Sequence, residues 1–127
     1  MSFGEAVNSG FENFANFSGR ASRAAYWWWF LFGVLVSIAT NILDAAVIGA
    51  PVLSPLAGLA LFIPNLSVGV RRLHDTGRSG WWILIGLIPI IGWIVLLIFL
   101  IEQGDAGDNE YGPPPPDRGP VAAAPAA

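Results

Sequence analysis

The chain contains no cysteine and one histidine, and charged residues fill only 12% of its 127 positions. Without cysteine there are no disulfides or thiolate metal sites, and redox chemistry says nothing about compartment. The lone His74 has no second imidazole or thiolate with which to share a metal, so no metal site and no cofactor is assigned. The shortage of charge is the most informative one. Soluble proteins carry about 25% charged residues, and here the hydrophobic share is 54%. A soluble domain this small has too little interior to hide so much apolar surface. The composition predicts a membrane protein, and the few, scattered basic residues exclude a nucleic-acid partner.

Charge is missing altogether from long stretches. Ala24–Leu43 gives twenty uncharged residues, enough at ~1.5 Å per residue to cross a ~30 Å hydrocarbon core. Asp44 closes it, and a short loop to Ala50 leads to a second span from about Pro51 to Val70. Pro51 suits a first helical turn, whereas Pro64 should kink the helix and free a carbonyl, with Asn65 and Ser67 placed to compensate. Trp81–Ile101 supplies a third run of twenty-one uncharged residues, interrupted by Pro89 and Gly92. A re-entrant hairpin turning at Pro89–Gly92 is the alternative there, with arms of about ten residues and a turn in need of shelter from lipid. Tyr26, Trp27 and Trp28 at the start of the first span, and Trp81 and Trp82 at the start of the third, are placed as interface anchors.

The remaining segments are polar. Phe3, Val7, Phe11 and Phe14 share one helical face, which predicts an amphipathic helix lying in the membrane interface. Ser22 is placed to cap the first span. Pro113–Pro116 and the alanine-rich end predict a disordered tail over 113–127. The expected fold is therefore an all-α membrane protein. It has one membrane domain over 1–112, with spans at about 24–43, 51–70 and 81–101. Arg20 and Arg23 precede the first span, and Arg71, Arg72 and Arg78 lie between the second and third. Arginine is retained on the cytoplasmic side, so the N-terminus and the 71–80 loop are expected in the cytoplasm and the tail outside. A hairpin third segment would return the tail to the cytoplasm.

Four motifs in order carry a family likeness. They are Phe17–Arg23 leading into Tyr26, Trp27 and Trp28; Arg71–Trp82; Ile88–Trp93; and Gly104, Gly107, Asn109, Tyr111, Gly112 and Pro113. Over roughly residues 11–116 the chain resembles the domain of unknown function 805 family of small bacterial multi-pass inner-membrane proteins. The resemblance implies that location and imports no activity. Ala25 departs from the family where a carboxylate often precedes the Tyr-Trp pair, and Glu110 where a basic residue is common. An ion pair formed by those positions in relatives would be missing here.

Arg20, Arg23, Arg71, Arg72 and Arg78, with His74 and Asp75, form the candidate site. Arginine forks suit phosphate, so the expected role is that of a structural or interaction protein engaging anionic lipid headgroups or a partner. A non-enzymatic role is expected. One alternative is an oligomeric transporter or channel, although the spans hold no ionisable group of the kind a pathway uses. A second is a headgroup-modifying enzyme in which Asp75 orients His74 as a general base. The small-residue pairs Gly33/Ser37 and Ser54/Gly58 permit close helix contact, which leaves a homo-oligomer or a membrane-protein partner open.

Overall fold

The computed structural model describes residues 1–118. Its elements are α1 (Phe3–Glu12), α2 (Arg23–Leu43), a π-turn (Asp44–Ile48), α3 (Leu53–Asp75), a 3-10 segment (Gly80–Leu87), α4 (Ile91–Ile101) and a short 3-10 turn (Pro116–Arg118). The described residues are helical, with one isolated bridge between Asn109 and Gly112.

Helix α1 starts at a capping box: the Ser2 hydroxyl accepts from Glu5 N (3.2 Å) and the Glu5 carboxylate accepts from Ser2 N (2.8 Å). Its buried contacts are the small residues Ala6 and Gly10 rather than the phenylalanines. A Cβ on Gly10 would stand 2.1 Å from the Trp29 ring, so only glycine admits that indole. Phe3 and Phe11 flank the contact, and both reach Phe32, with centroids 6.5 and 5.7 Å away. Eight residues of helix separate them, about 12 Å, so α1 crosses α2 instead of running along it. Phe11, Phe14 and Phe17 keep much of their surface exposed.

Ser22 caps α2, its hydroxyl accepting from Ala25 N at 3.1 Å. At the far end Asp44 is buried and caps α3, accepting from Leu53 N (2.8 Å), Ser54 N (2.9 Å) and the Ser54 hydroxyl (2.8 Å). Helix α3 runs through Pro64. The Ser67 hydroxyl lies 3.1 Å from the carbonyls of both Pro64 and Asn13, while Asn65 accepts from the Trp29 indole at 2.7 Å. Helix α3 begins two residues later than expected, at Leu53, and continues past Val70 through Asp75. Arg71–Asp75 therefore form its last turn, because their side chains are buried instead of solvated, with Arg72 and Asp75 paired to each other. Helices α2 and α3 are both long and apolar enough to cross a bilayer.

The third apolar run, expected as one span, is not a continuous helix: it divides into the 3-10 segment Gly80–Leu87 and the helix Ile91–Ile101. It folds back on itself at Ile88–Ile90, where Ile90 has φ 67°, a costly conformation for a β-branched residue. The Trp93 indole donates to the Gly86 carbonyl (2.8 Å). Trp82 meets Phe99 edge-on at 5.6 Å, and Arg78 pairs with Glu102 at 2.8 Å. Contacts between 86 and 93, 82 and 99, and 78 and 102 define an antiparallel hairpin. A Cβ on Gly92 would lie 1.9 Å from the Ile85 carbonyl oxygen, so glycine is what lets the arms close. Each arm is about 16 Å long, half the hydrocarbon core.

The tail follows from this. It returns to the end of the molecule that carries Arg20 and the 71–80 segment, the arrangement expected of the hairpin alternative rather than of three spans. Residues 113–118, expected to be disordered, are placed: Pro115 is buried and the Asp117 carboxylate accepts from the Ser22 hydroxyl. The remainder of that expectation, 119–127, lies outside the described residues.

Candidate functional site

The cluster is built around Asp75, the last residue of α3 and wholly buried. A carboxylate at a helix C-terminus meets the negative end of the dipole, and burial makes it costlier still. Two guanidinium groups offset this. Arg20 Nε donates to Oδ1 at 2.9 Å and Arg72 Nη1 to Oδ2 at 2.8 Å, all three side chains being closed to solvent.

Two arginines against one carboxylate leave one positive charge in excess, and backbone carbonyls absorb it. Arg20 donates to the carbonyls of Asp105 (2.6 Å), Gly107 (2.7 Å) and Gly112 (3.0 Å). Arg72 donates to those of Leu100 (3.0 Å), Ala21 (3.2 Å) and Glu102. Leu100 and Glu102 end α4, so Arg72 also serves as that helix's C-terminal cap at the negative end of its dipole. The Asp105 N–H donates back to the Asp75 carbonyl at 2.7 Å, and Ala21 N–H to the Arg71 carbonyl at 2.9 Å. The loop before α2, the end of α3, the end of α4 and the tail are thereby tied into one knot.

His74 serves the same knot. Its Nδ1 is 3.0 Å from the Gly19 carbonyl, which assigns the proton there, and its ring stacks on Tyr111 at 3.9 Å. Asn109 donates to the His74 carbonyl at 2.9 Å. Burial, then the neighbouring Glu110 carboxylate, raises the Tyr111 phenol above its ordinary range. The general-base reading asked for a carboxylate directed at His74; the Asp75 carboxylate is directed at Arg20 and Arg72. Among the described residues no group of three or more His, Asp or Glu could hold a metal.

The other candidates divide. Arg78 makes a forked pair with Glu102 (2.8 and 3.3 Å) and lies 3.9 Å over the Phe99 ring, joining the hairpin's arms. Arg23 is exposed. Arg71 is 6% exposed, and its Nε and Nη2 are sealed from solvent with no acceptor among the described residues. Of the aromatic anchors, Trp27 donates to the Leu100 carbonyl (3.3 Å), and Trp28 and Trp82 make edge contacts with Phe3 and Phe99. Tyr26 is half-buried against Trp27, whereas Trp81 is 78% exposed. Ala25 packs in the core with Ala21, Trp29 and Val68. Sequence reasoning missed Trp29, Glu102 and Asn109 as partners. The glycine and asparagine pattern of the tail was the only available signal, and its purpose is now visible: it delivers carbonyls to Arg20.

Two long apolar helices, a short apolar hairpin and a buried ionic knot at one end define a helical membrane protein. The chain belongs to the family described as protein of unknown function (DUF805), whose model matches residues 14–113. It is 44% identical over 105 residues to inner membrane protein YhaI of Escherichia coli K12, covering 82% of this chain and 89% of that one. It is 38% identical over 109 residues to inner membrane protein YhaH of the same strain, covering 82% and 90%. To the uncharacterized protein YiiR of that strain it is 32% identical over 87 residues, covering 64% and 53%. No solved structure matches the chain.

Proposed function

We propose that the protein is a non-enzymatic structural or interaction component of a bacterial inner membrane, with the arginine-bearing end in the cytoplasm engaging anionic lipid headgroups. Helices α2 and α3 are its spans, α1 lies across them in the interface, and the hairpin enters from and returns to the cytoplasmic leaflet. The observation that carries this reading is the gathering of Arg20, Arg23, Arg71, Arg72 and Arg78 at one end of two apolar helices. That is the distribution retained on the cytoplasmic side, and its arginines without a carboxylate partner, Arg23 and Arg71, add attraction to an anionic leaflet at about 1 kcal/mol each.

The knot supports binding over chemistry, because its titratable groups are spent on one another and on backbone carbonyls. Among the arginines of the candidate site, Arg23 and Arg71 are left for a ligand. The test is the lipid that accompanies the full chain through detergent purification. Enrichment of anionic phospholipid over the composition of the source membrane is expected. A co-purified fraction matching the bulk membrane would refute lipid engagement and turn attention to a protein partner.

A further inference from the structure

We infer that Arg71 is the seat of one phosphate oxyanion, carried by an anionic phospholipid and held by the Nε/Nη2 edge of its guanidinium. The inference rests on the lipid-engaging reading above and names the residue and the group it grips.

Arg71 is the exception in an otherwise satisfied cluster. Arg20, Arg72 and Arg78 have carboxylate partners, and Arg23 is in the open. Arg71 is more than nine-tenths buried, yet Nε and Nη2 have no acceptor among the described residues. An arginine cannot shed its charge in a protein, and a buried unpaired charge is among the most unfavourable arrangements a fold can hold. Pairing with an incoming anion removes that penalty. Nε and Nη2 are moreover the two nitrogens of one fork, the edge that meets two oxygens of a phosphate or carboxylate side by side. Both nitrogens are closed to solvent in the unliganded chain, so the phosphate reaches them only when the Arg71 side chain swings outward or the loop before α2 gives way.

The position selects phosphate borne on lipid. Arg71 belongs to the last turns of α3, among the other arginines at the headgroup end. The loop before α2 walls it on one side, through Ala21 N–H on its own carbonyl and through Asn13 against Ser67 one turn below. A cleft of about 450 Å³ between α2 and α3 reaches Asn65 and Val68, the latter three residues below Arg71. That volume is within the range of small-ligand sites, but two turns of a helix about 10 Å wide would not fit it. Arg71 itself is not part of its lining, but the mostly apolar walls suit an acyl chain.

The experiment uses the full chain, delipidated in a non-ionic detergent and titrated separately with short-chain phosphatidylglycerol, diacylglycerol of the same chains, and inorganic phosphate. Thermal unfolding and native mass spectrometry are the readouts. Phosphatidylglycerol should raise the unfolding temperature and add one retained lipid, and diacylglycerol should do neither. A rise with inorganic phosphate equal to that with the lipid would overturn the lipid source. Arg71→Met, which keeps the volume, should bind phosphatidylglycerol about tenfold or more weakly, as befits two lost charge-assisted bonds. Arg71→Lys, which keeps the charge but not the fork, should also bind more weakly than the native chain. A wild-type response in both variants would overturn the assignment to Arg71 while leaving the co-purification result standing. A wild-type chain that neither enriches nor responds to anionic lipid would sink both.

Discussion

Replacing Asp75 with asparagine should release the tail from the body without unfolding the spans. The carboxylate bridges Arg20 and Arg72, and all three side chains are closed to solvent. Its loss takes the triad from a net +1 to +2 and leaves two guanidinium groups facing a neutral amide. Breaking a buried pair by removing one partner costs about 3–5 kcal/mol, and at 1.4 kcal/mol per decade this is roughly 10²- to 4 × 10³-fold in a local equilibrium. The segment that pays is the one Arg20 holds by its carbonyls, 105–112, because the tail has little apolar surface of its own to keep it docked. Amide hydrogen exchange reads this directly. The Asp105 N–H donates to the Asp75 carbonyl, and Asn109 and Gly112 bridge one another. Protection over 102–118 should fall by that factor, while α2 at 30–40 exchanges as before. A fall of less than about tenfold, or an equal fall everywhere, would refute the view of the knot as a local latch.

Three other perturbations test separate parts of the fold. Because the chain has no cysteine, single cysteines at Ala50, Ser79 and Glu110 can be probed with an impermeant maleimide in intact cells; Ser79 and Glu110 should label alike and Ala50 oppositely, and Glu110 labelling with Ala50 would restore a third span. Gly10→Leu puts a side chain where a Cβ already stands 2.1 Å from Trp29, so α1 should be displaced at a cost of about 1–3 kcal/mol, visible as a shift in tryptophan emission; unchanged emission and stability would mean α1 is not seated on Trp29. The Glu5 carboxyl is held below its ordinary 4.5 by Ser2 N–H and the Ser2 hydroxyl. A depressed carboxylate stabilises above its unfolded value and loses that contribution as pH falls through the folded one, so the first turn of α1 should fray below about pH 4.5 in the native chain and already be frayed at neutral pH in Glu5→Gln, by exchange of the Glu5 amide.

Much of the frame was legible because apolar length and capping are local properties. The uncharged run 24–43 and the Ser22 cap reappear almost residue for residue in α2. The third segment was not, since twenty-one apolar residues with a central proline serve equally well as one span or as two short arms. What decides is a set of contacts across the turn, Gly92 on the Ile85 carbonyl and Trp93 on that of Gly86, which composition does not encode. The site was half legible. The arginines and Asp75 stood out by type, but Arg20 and Asp75 are 55 residues apart. Arg20's other acceptors are backbone carbonyls, present at every residue and so invisible in a list of side chains. For the same reason α3 was ended too early: Arg71–Asp75 read as a solvated loop until their partners are known.

The paired state of these arginines also separates two roles that sequence reasoning merged. A guanidinium neutralised by a buried carboxylate and by carbonyl dipoles contributes little to the field felt by a membrane surface, so Arg20 and Arg72 are poor headgroup ligands in the folded protein. Their effect on orientation must then be exerted earlier, while the chain is inserting and Asp75, Leu100 and the tail are not yet gathered around them. Orientation and latching can therefore be uncoupled. Asp75→Asn, which keeps every arginine, should loosen the tail and leave the labelling pattern of Ala50 and Ser79 unchanged. Arg20→Gln with Arg72→Gln should disturb both, since it removes two of the five basic groups that the proposed orientation relies on to retain this end in the cytoplasm. Inverted labelling in Asp75→Asn would contradict this order of events, because acidic residues weigh little in orientation and only a need for the folded knot could produce it.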